Sequence, residues 1–140
     1  MLAAEWLAQV GASYLGAARI PDTAALIRAF EDAPVCITIA DMTLPGRPLM
    51  FANRAFESLT GYRRYMAIGQ NCSFLQGPDT DPNALLEIRR AFAAAQVLDI
   101  VLLNYRKDGS AFRNALRLHP LRNAAGALVA YAGSQALAAG

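Results

Sequence analysis

Two hydrophobic periodicities divide the chain. In the first thirty residues, Leu2, Trp6, Leu7, Val10 and Tyr14 recur at helical spacing and form one apolar stripe. Gly16 and Pro21 punctuate it. Asp22 offers an N-cap to a second short helix, with Leu26, Ile27 and Phe30 on its apolar side, and Pro34 ends helical structure. From Val35 the pattern turns to strands. Residues 35–40 are apolar and β-branched, 44–48 carry turn residues, and 49–52 complete a hairpin. Short helical pieces follow at 54–60 and around 64–67, broken by Gly61 and Gly69. Asp81 then caps, and Pro82 opens, a longer helix in which Leu85, Ile88, Arg89 and Phe92 share one side. Strand patterns at 97–106, 111–121 and 127–135, separated by turns at 107–110 and 123–126, form a meander. The expected class is α+β, an antiparallel sheet with helices gathered on one face.

Composition narrows the function. The chain has 140 residues, of which 55% are hydrophobic and 17% charged, so it suits one folded domain rather than a disordered segment. A net charge of +2 gives no electrostatic case for nucleic acid. No apolar run is long enough for a membrane span, and the start MLAAEWLAQV lacks the basic region of a secretory signal. The expectation is a cytoplasmic chain with neither membrane nor nucleic acid as partner. Cys36 and Cys72 are too few for a disulfide framework, and with the lone His119 they make no metal cluster. Cys36 and His119 read as ordinary strand residues.

Polar residues stand where apolar ones are expected. Asn104, Asn114 and Gln135 all fall in strand patterns. Asn104 and Asn114 are an even number of positions apart, so an odd-numbered hairpin loop puts both on one face. Amides offer donors and an acceptor together, which suits the edge of a planar heterocycle. A plainer account also serves: Asn104 stands near a turn and Gln135 near the terminus. Arg89, on the apolar side of its helix, calls for an anionic partner.

The segment Gly69-Gln70-Asn71-Cys72-Ser73-Phe74-Leu75-Gln76-Gly77 closely resembles the signature of light-oxygen-voltage (LOV) domains, the blue-light-sensing branch of the PAS fold. Ile88-Arg89, the stretch Leu103-Asn104-Tyr105-Arg106-Lys107-Asp108-Gly109, Phe112-Arg113-Asn114 and Gly133-Ser134-Gln135 extend the likeness, as do Leu49 to Asn53 and Ala55-Phe56. It runs from about Val35 to Gln135. The resemblance implies a PAS fold with a five-stranded antiparallel sheet enclosing FMN, with riboflavin or FAD as minor occupants. It implies that Cys72 is the photoreactive thiol, forming a reversible bond to flavin C4a on illumination. By position, Asn104 and Asn114 would bond the pyrimidine edge, and Gln135 would lie near N5 and O4. Asn71 and Gln76 would hold the ribityl chain and the O4 side, Arg89 would pair with the phosphate, and Leu116 and Thr38 would line the site. A proton gained at N5 would be answered by a turn of the Gln135 amide.

Ser73 departs from the family, which usually carries Arg there; Arg63, Arg64 or Arg90 are candidates to compensate. Thr38 and Cys36 replace a usual Val and Asn, and a hydroxyl or thiol there would help the proton return. The expected organisation is a helical extension over 1–33, a sensor domain over 34–137 and a tail at 138–140. A homodimer is expected through the N-terminal helices and the outer face of the sheet, where Val101, Leu103 and Tyr105 would leave an apolar strip. The alternative function is a flavin-binding PAS redox or ligand sensor without physiological photochemistry. An enzyme using Cys72 as nucleophile is disfavoured, because no base motif accompanies the thiol.

Overall fold

The computed structural model describes residues 30–123 and 125–139; the apolar stripe from Leu2 to Tyr14 and most of the expected second helix lie outside them. The elements are β1 (Cys36–Asp41), β2 (Leu49–Ala52), α1 (Arg54–Thr60), α2 (Arg64–Ala67), a 3-10 turn (Cys72–Leu75), α3 (Pro82–Ala94), β3 (Leu98–Tyr105), β4 (Ala111–Arg122) and β5 (Leu128–Leu137). The strands form one sheet in the order β2-β1-β5-β4-β3, antiparallel throughout. The last strand therefore lies at the centre, with Cys36 opposite Gln135 and Thr38 opposite Gly133.

Strand alternation gives the sheet two different faces. Ile37 and Ile39 point outward and pack with Phe30, Leu121, Ala130 and Ala132, which seals that face against the segment entering from the N-terminal side. Burial of each large side chain there contributes about 1.5–3 kcal/mol. Thr38 and Ala40 point inward, where a second cluster of Cys36, Leu49, Ala52, Phe56, Ala67 and Leu75 joins the sheet to the helical layer.

Polar side chains tie the layers together. Asn53 is fully buried; its Oδ1 accepts from Ile37 N at 2.9 Å, and its Nδ2 donates to Phe30 O and Val35 O at 2.7 and 2.8 Å. One amide thus satisfies three backbone groups that would otherwise be orphaned. Arg106 Nε donates to Leu59 O at 3.0 Å and Lys107 N to Thr60 O at 2.9 Å, fastening α1 to the end of β3. Asp81 caps α3 by accepting from Asn83 N, with Pro82 in its first turn.

Val101 is exposed and Leu103 half-buried, as the alternation requires. Tyr105 is not part of an open strip. Its ring lies against Gly77, and its hydroxyl accepts from Asp79 N at 3.1 Å, so the loop after the 3-10 turn covers it.

Candidate functional site

The site is built where the inner face of the sheet meets the helical layer. β3 and β4 pair with Tyr105 opposite Ala111, leaving 106–110 as an odd-numbered connection. Asn104 and Asn114 therefore face the same side, and Asn114 Nδ2 donates to Asn104 Oδ1 at 2.9 Å. Both are buried, at 5% and 2% exposure. Asn114 Oδ1 has no hydrogen-bond partner. A buried amide carbonyl left unpaired costs about 1–3 kcal/mol, so its survival at the heart of a cavity points to a donor supplied from outside the chain.

Gln135 stands on β5 directly opposite both Leu116 of β4 and Cys36 of β1. Its Nε2 donates to Thr38 Oγ1 at 3.0 Å, and its Oε1 accepts from Cys36 Sγ at 3.0 Å. The neighbour that makes this possible is Gly133. A Cβ built there would sit 3.0 Å from both Gln135 Nε2 and Thr38 Oγ1. Glycine at this position leaves room for the pair.

Cys72 opens the 3-10 turn on the opposite wall. Asn71 fixes it there: Asn71 Oδ1 accepts from Ser73 N at 2.9 Å, and its Nδ2 donates to Gly46 O at 2.7 Å. The Cys72 side chain is half-buried, and burial pushes its thiol up to about 12. At neutral pH it is a protonated thiol, not a thiolate. Burial, with Cys72 nearby, raises the Cys36 thiol as well.

Thr38, Asn104, Asn114, Leu116 and Gln135 from the sheet, and Asn71, Cys72, Ser73 and Gln76 from the facing segment, all line one cavity of about 120 Å3. Ile88 and Phe92 of α3 and Tyr131 of β5 line it as well. A slot of this size is below the roughly 300–1,000 Å3 of sites that bury a whole ligand, so the lining side chains must give way to admit a tricyclic ring. The donor set nevertheless fits a flavin. Asn104, Asn114 and Gln135 converge from the sheet, one carbonyl is unpaired, and the Cys72 thiol lines the same slot.

Arg89 is not part of this wall. The sequence pattern put it on the inward side of its helix, but the buried side of α3 runs through Ala84, Ile88 and Ala91, and Arg89, one residue round from Ile88, is exposed. Two of the candidates to compensate for Ser73 are engaged elsewhere. Arg64 bonds the Glu31 carboxylate, which with Glu57 raises the pKa of its guanidinium, and Arg63 lies 4.0 Å from Glu57. Arg90 is exposed.

Among the residues that sequence reasoning did not place at the site are Phe92, Leu102, Leu118 and Tyr131, and it missed the Cys36–Gln135 bond. Tyr131 donates from its hydroxyl to Gln96 O at 2.7 Å, and Phe92 meets it edge-on at 4.7 Å. Nothing in the strand pattern distinguishes Tyr131 from an ordinary core aromatic. His119, on β4, pairs with Ala132 of β5 and is not among the residues lining the cavity.

Comparison with known proteins gives the class. Residues 34–135 match the PAS domain family, and the chain belongs to it. Within that family it is of the LOV type. A LOV domain studied with a flavin analogue is 40% identical and superimposes with a TM-score of 0.76, covering 82% of this chain and 85% of that one. The LOV domain of the Erythrobacter litoralis EL346 blue-light-activated histidine kinase is 38% identical, with a TM-score of 0.72 over 74% of this chain and 95% of its own. Among curated proteins, the blue-light-activated histidine kinase of Brucella anthropi is 39% identical over 91% of this chain. This chain spans only 26% of that relative's length and 32% of blue-light-activated histidine kinase 1 of Erythrobacter litoralis.

Proposed function

We propose that this chain is the sensor of a blue-light photoreceptor that holds FMN in the cavity and reacts through Cys72. The observation that carries the reading is the cavity itself. A protonated thiol on one wall faces Asn104, Asn114 and Gln135 on the other, and Asn114 Oδ1 lacks a partner. When bound and excited by blue light, a flavin supplies an electrophilic carbon, C4a, and a basic nitrogen, N5. Cys72 would bring the sulfur that bonds the first and the proton that the second takes up, and darkness would return both to the thiol. A thiol held at about 12 brings its own proton to this addition, whereas an enzymatic nucleophile is favoured by a lowered pKa. Asn104 and Asn114 would hold the pyrimidine edge, and Gln135 would meet N5 with an amide able to donate or accept. Arg89, exposed on α3, would supply the cation for the phosphate.

A flavin-binding redox or ligand sensor would use the same amides and leave Cys72 idle. Replacing Cys72 by Ala separates the two. The variant should keep its flavin, fluoresce more strongly and no longer bleach under blue light; reversible bleaching that survives the substitution refutes the reaction through Cys72. Chromatography of the heat-released chromophore checks the flavin. Mostly FMN is expected; mostly riboflavin or FAD would refute FMN as the flavin.

A further inference from the structure

The loop between β1 and β2 places an arginine at the edge of the cavity. Arg47 is exposed, and its guanidinium carbon lies 5.2 Å from the centre of the Phe92 ring. Phe92 lines the cavity and is itself braced edge-on against Tyr131 at 4.7 Å. The same loop is joined to the segment that bears the thiol. The Asn71 side chain donates to Gly46 O at 2.7 Å and accepts from Ser73 N at 2.9 Å, so a single amide spans Gly46 and Ser73. Leu49 N donates to Gln70 O, and Gly69 N to Leu49 O, both at 2.8 Å. Arg47 thus stands between the wall that carries Ser73 and the helix that carries Arg89, which lies three residues before Phe92 and is its neighbour on the surface of α3.

Two features set Arg47 apart from an ordinary surface arginine. Its φ is +47°, a left-handed conformation that Gly or Asn adopts at less cost. Arg47 N donates to Leu44 O at 3.1 Å, which closes the turn on that conformation. Its charge also lacks a counter-ion. Arg54, Arg63, Arg64 and Arg117 each lie against a carboxylate, whereas among the described residues no carboxylate pairs with Arg47. The Phe92 ring attracts the charge but offers the guanidinium N–H groups no oxygen.

We propose that Arg47 binds the terminal phosphate of the flavin together with Arg89, and so adds to the site's preference for a phosphorylated flavin. This rests on the reading of a flavin in the cavity. A phosphate monoester carries about −1.5 to −2 charges at neutral pH, so a single arginine leaves part of that charge unmatched. Ser73, on the wall nearest the loop, is neutral. A guanidinium presents parallel N–H donors that match two phosphate oxygens. The perch over Phe92 holds the side chain at the cavity's edge before the ligand arrives, which lowers the cost of ordering it on binding.

Fluorescence titration of the flavin-free chain with FMN and with riboflavin tests the proposal. The two ligands differ by the phosphate alone, so riboflavin reports the ring site and any damage to the fold. Arg47→Asn removes the charge and keeps a residue that accepts the left-handed turn. It should weaken FMN about fivefold, the upper range for an exposed ion pair, and leave riboflavin unchanged. Arg47→Glu should weaken FMN further, again with riboflavin unchanged. Equal weakening of both flavins would overturn the proposal, because Arg47 would then serve the loop or cover the ring. Unchanged FMN affinity in Arg47→Asn would overturn it too, as would riboflavin binding to the unsubstituted chain as tightly as FMN. Each of those three results leaves the flavin reading standing. Binding of neither flavin to the unsubstituted chain would overturn the flavin reading and this inference with it.

Discussion

Replacing Asn114 by Leu should do the opposite of an ordinary core substitution. Asn114 is 2% exposed, and among the described residues its side chain's only hydrogen bond is the one Nδ2 donates to Asn104 Oδ1 at 2.9 Å; its own Oδ1 is buried without a partner there. Leucine is close in size, so no large cavity opens. The substitution removes one unsatisfied carbonyl, worth about 1–3 kcal/mol, and creates another by depriving Asn104 Oδ1 of its donor, at a similar cost. The two nearly cancel, and the flavin-free chain should change in stability by less than about 1 kcal/mol. With flavin bound the balance differs. In the native site the Asn114 carbonyl gains the donor it lacks; in the variant a flavin N–H is buried unmatched. That loss of about 1–3 kcal/mol weakens binding about 5- to 150-fold. Urea unfolding of the flavin-free chain and a fluorescence titration with FMN measure the two effects separately. Stability lowered by more than about 3 kcal/mol with unchanged flavin affinity would refute the reasoning, because the carbonyl would then be structural.

Three further outcomes follow from other parts of the molecule. Gly77→Ala would place a Cβ 2.2 Å from the Tyr105 ring and should cost about 1–3 kcal/mol; combined with Tyr105→Ala the costs should be less than additive in urea unfolding, and strict additivity would refute the contact. Both thiols are raised by burial from an ordinary value of 9.0, so the unfolded chain loses their protons first as pH rises. Their stabilising contribution is complete below about pH 9 and is lost above it, at about 1.4 kcal/mol per pH unit for each thiol; Cys72→Ala should remove one thiol's share of that slope, and an unaltered slope would contradict the burial. A chain lacking residues 1–29, which keeps Phe30 in the outer core, should sediment as a smaller species at concentrations where the full chain self-associates; identical sedimentation would refute dimerisation through that segment.

Much of the framework could be read directly from residue pattern. The strand at 49–52 after its turn, the short helical piece at 54–60 before Gly61 and the cap-and-proline start at Asp81-Pro82 match the observed elements, because local chemistry decides them. The amides were legible as anomalies, since Asn104 and Asn114 interrupt apolar strands and parity places them on one face. The inward reading of Arg89 failed because two adjacent residues at the edge of an amphipathic face cannot be ranked by periodicity alone; the contact with the sheet chose Ile88. The Cys36–Gln135 bond was invisible because it joins residues 99 positions apart through a pairing that only the central placement of β5 creates. Tyr105 misled for a related reason: strand alternation gives a side chain's direction but not the loop that folds over it.

The light-minus-dark absorption spectrum of the purified chain tests the central claim most directly. If Cys72 reacts with a flavin in this cavity, blue light should bleach the oxidised-flavin band, leave a single band in the near ultraviolet, and give isosbestic points that persist as the dark spectrum returns. A yellow protein whose spectrum blue light leaves unchanged, or one that bleaches to a reduced flavin recoverable only by an oxidant, would contradict it.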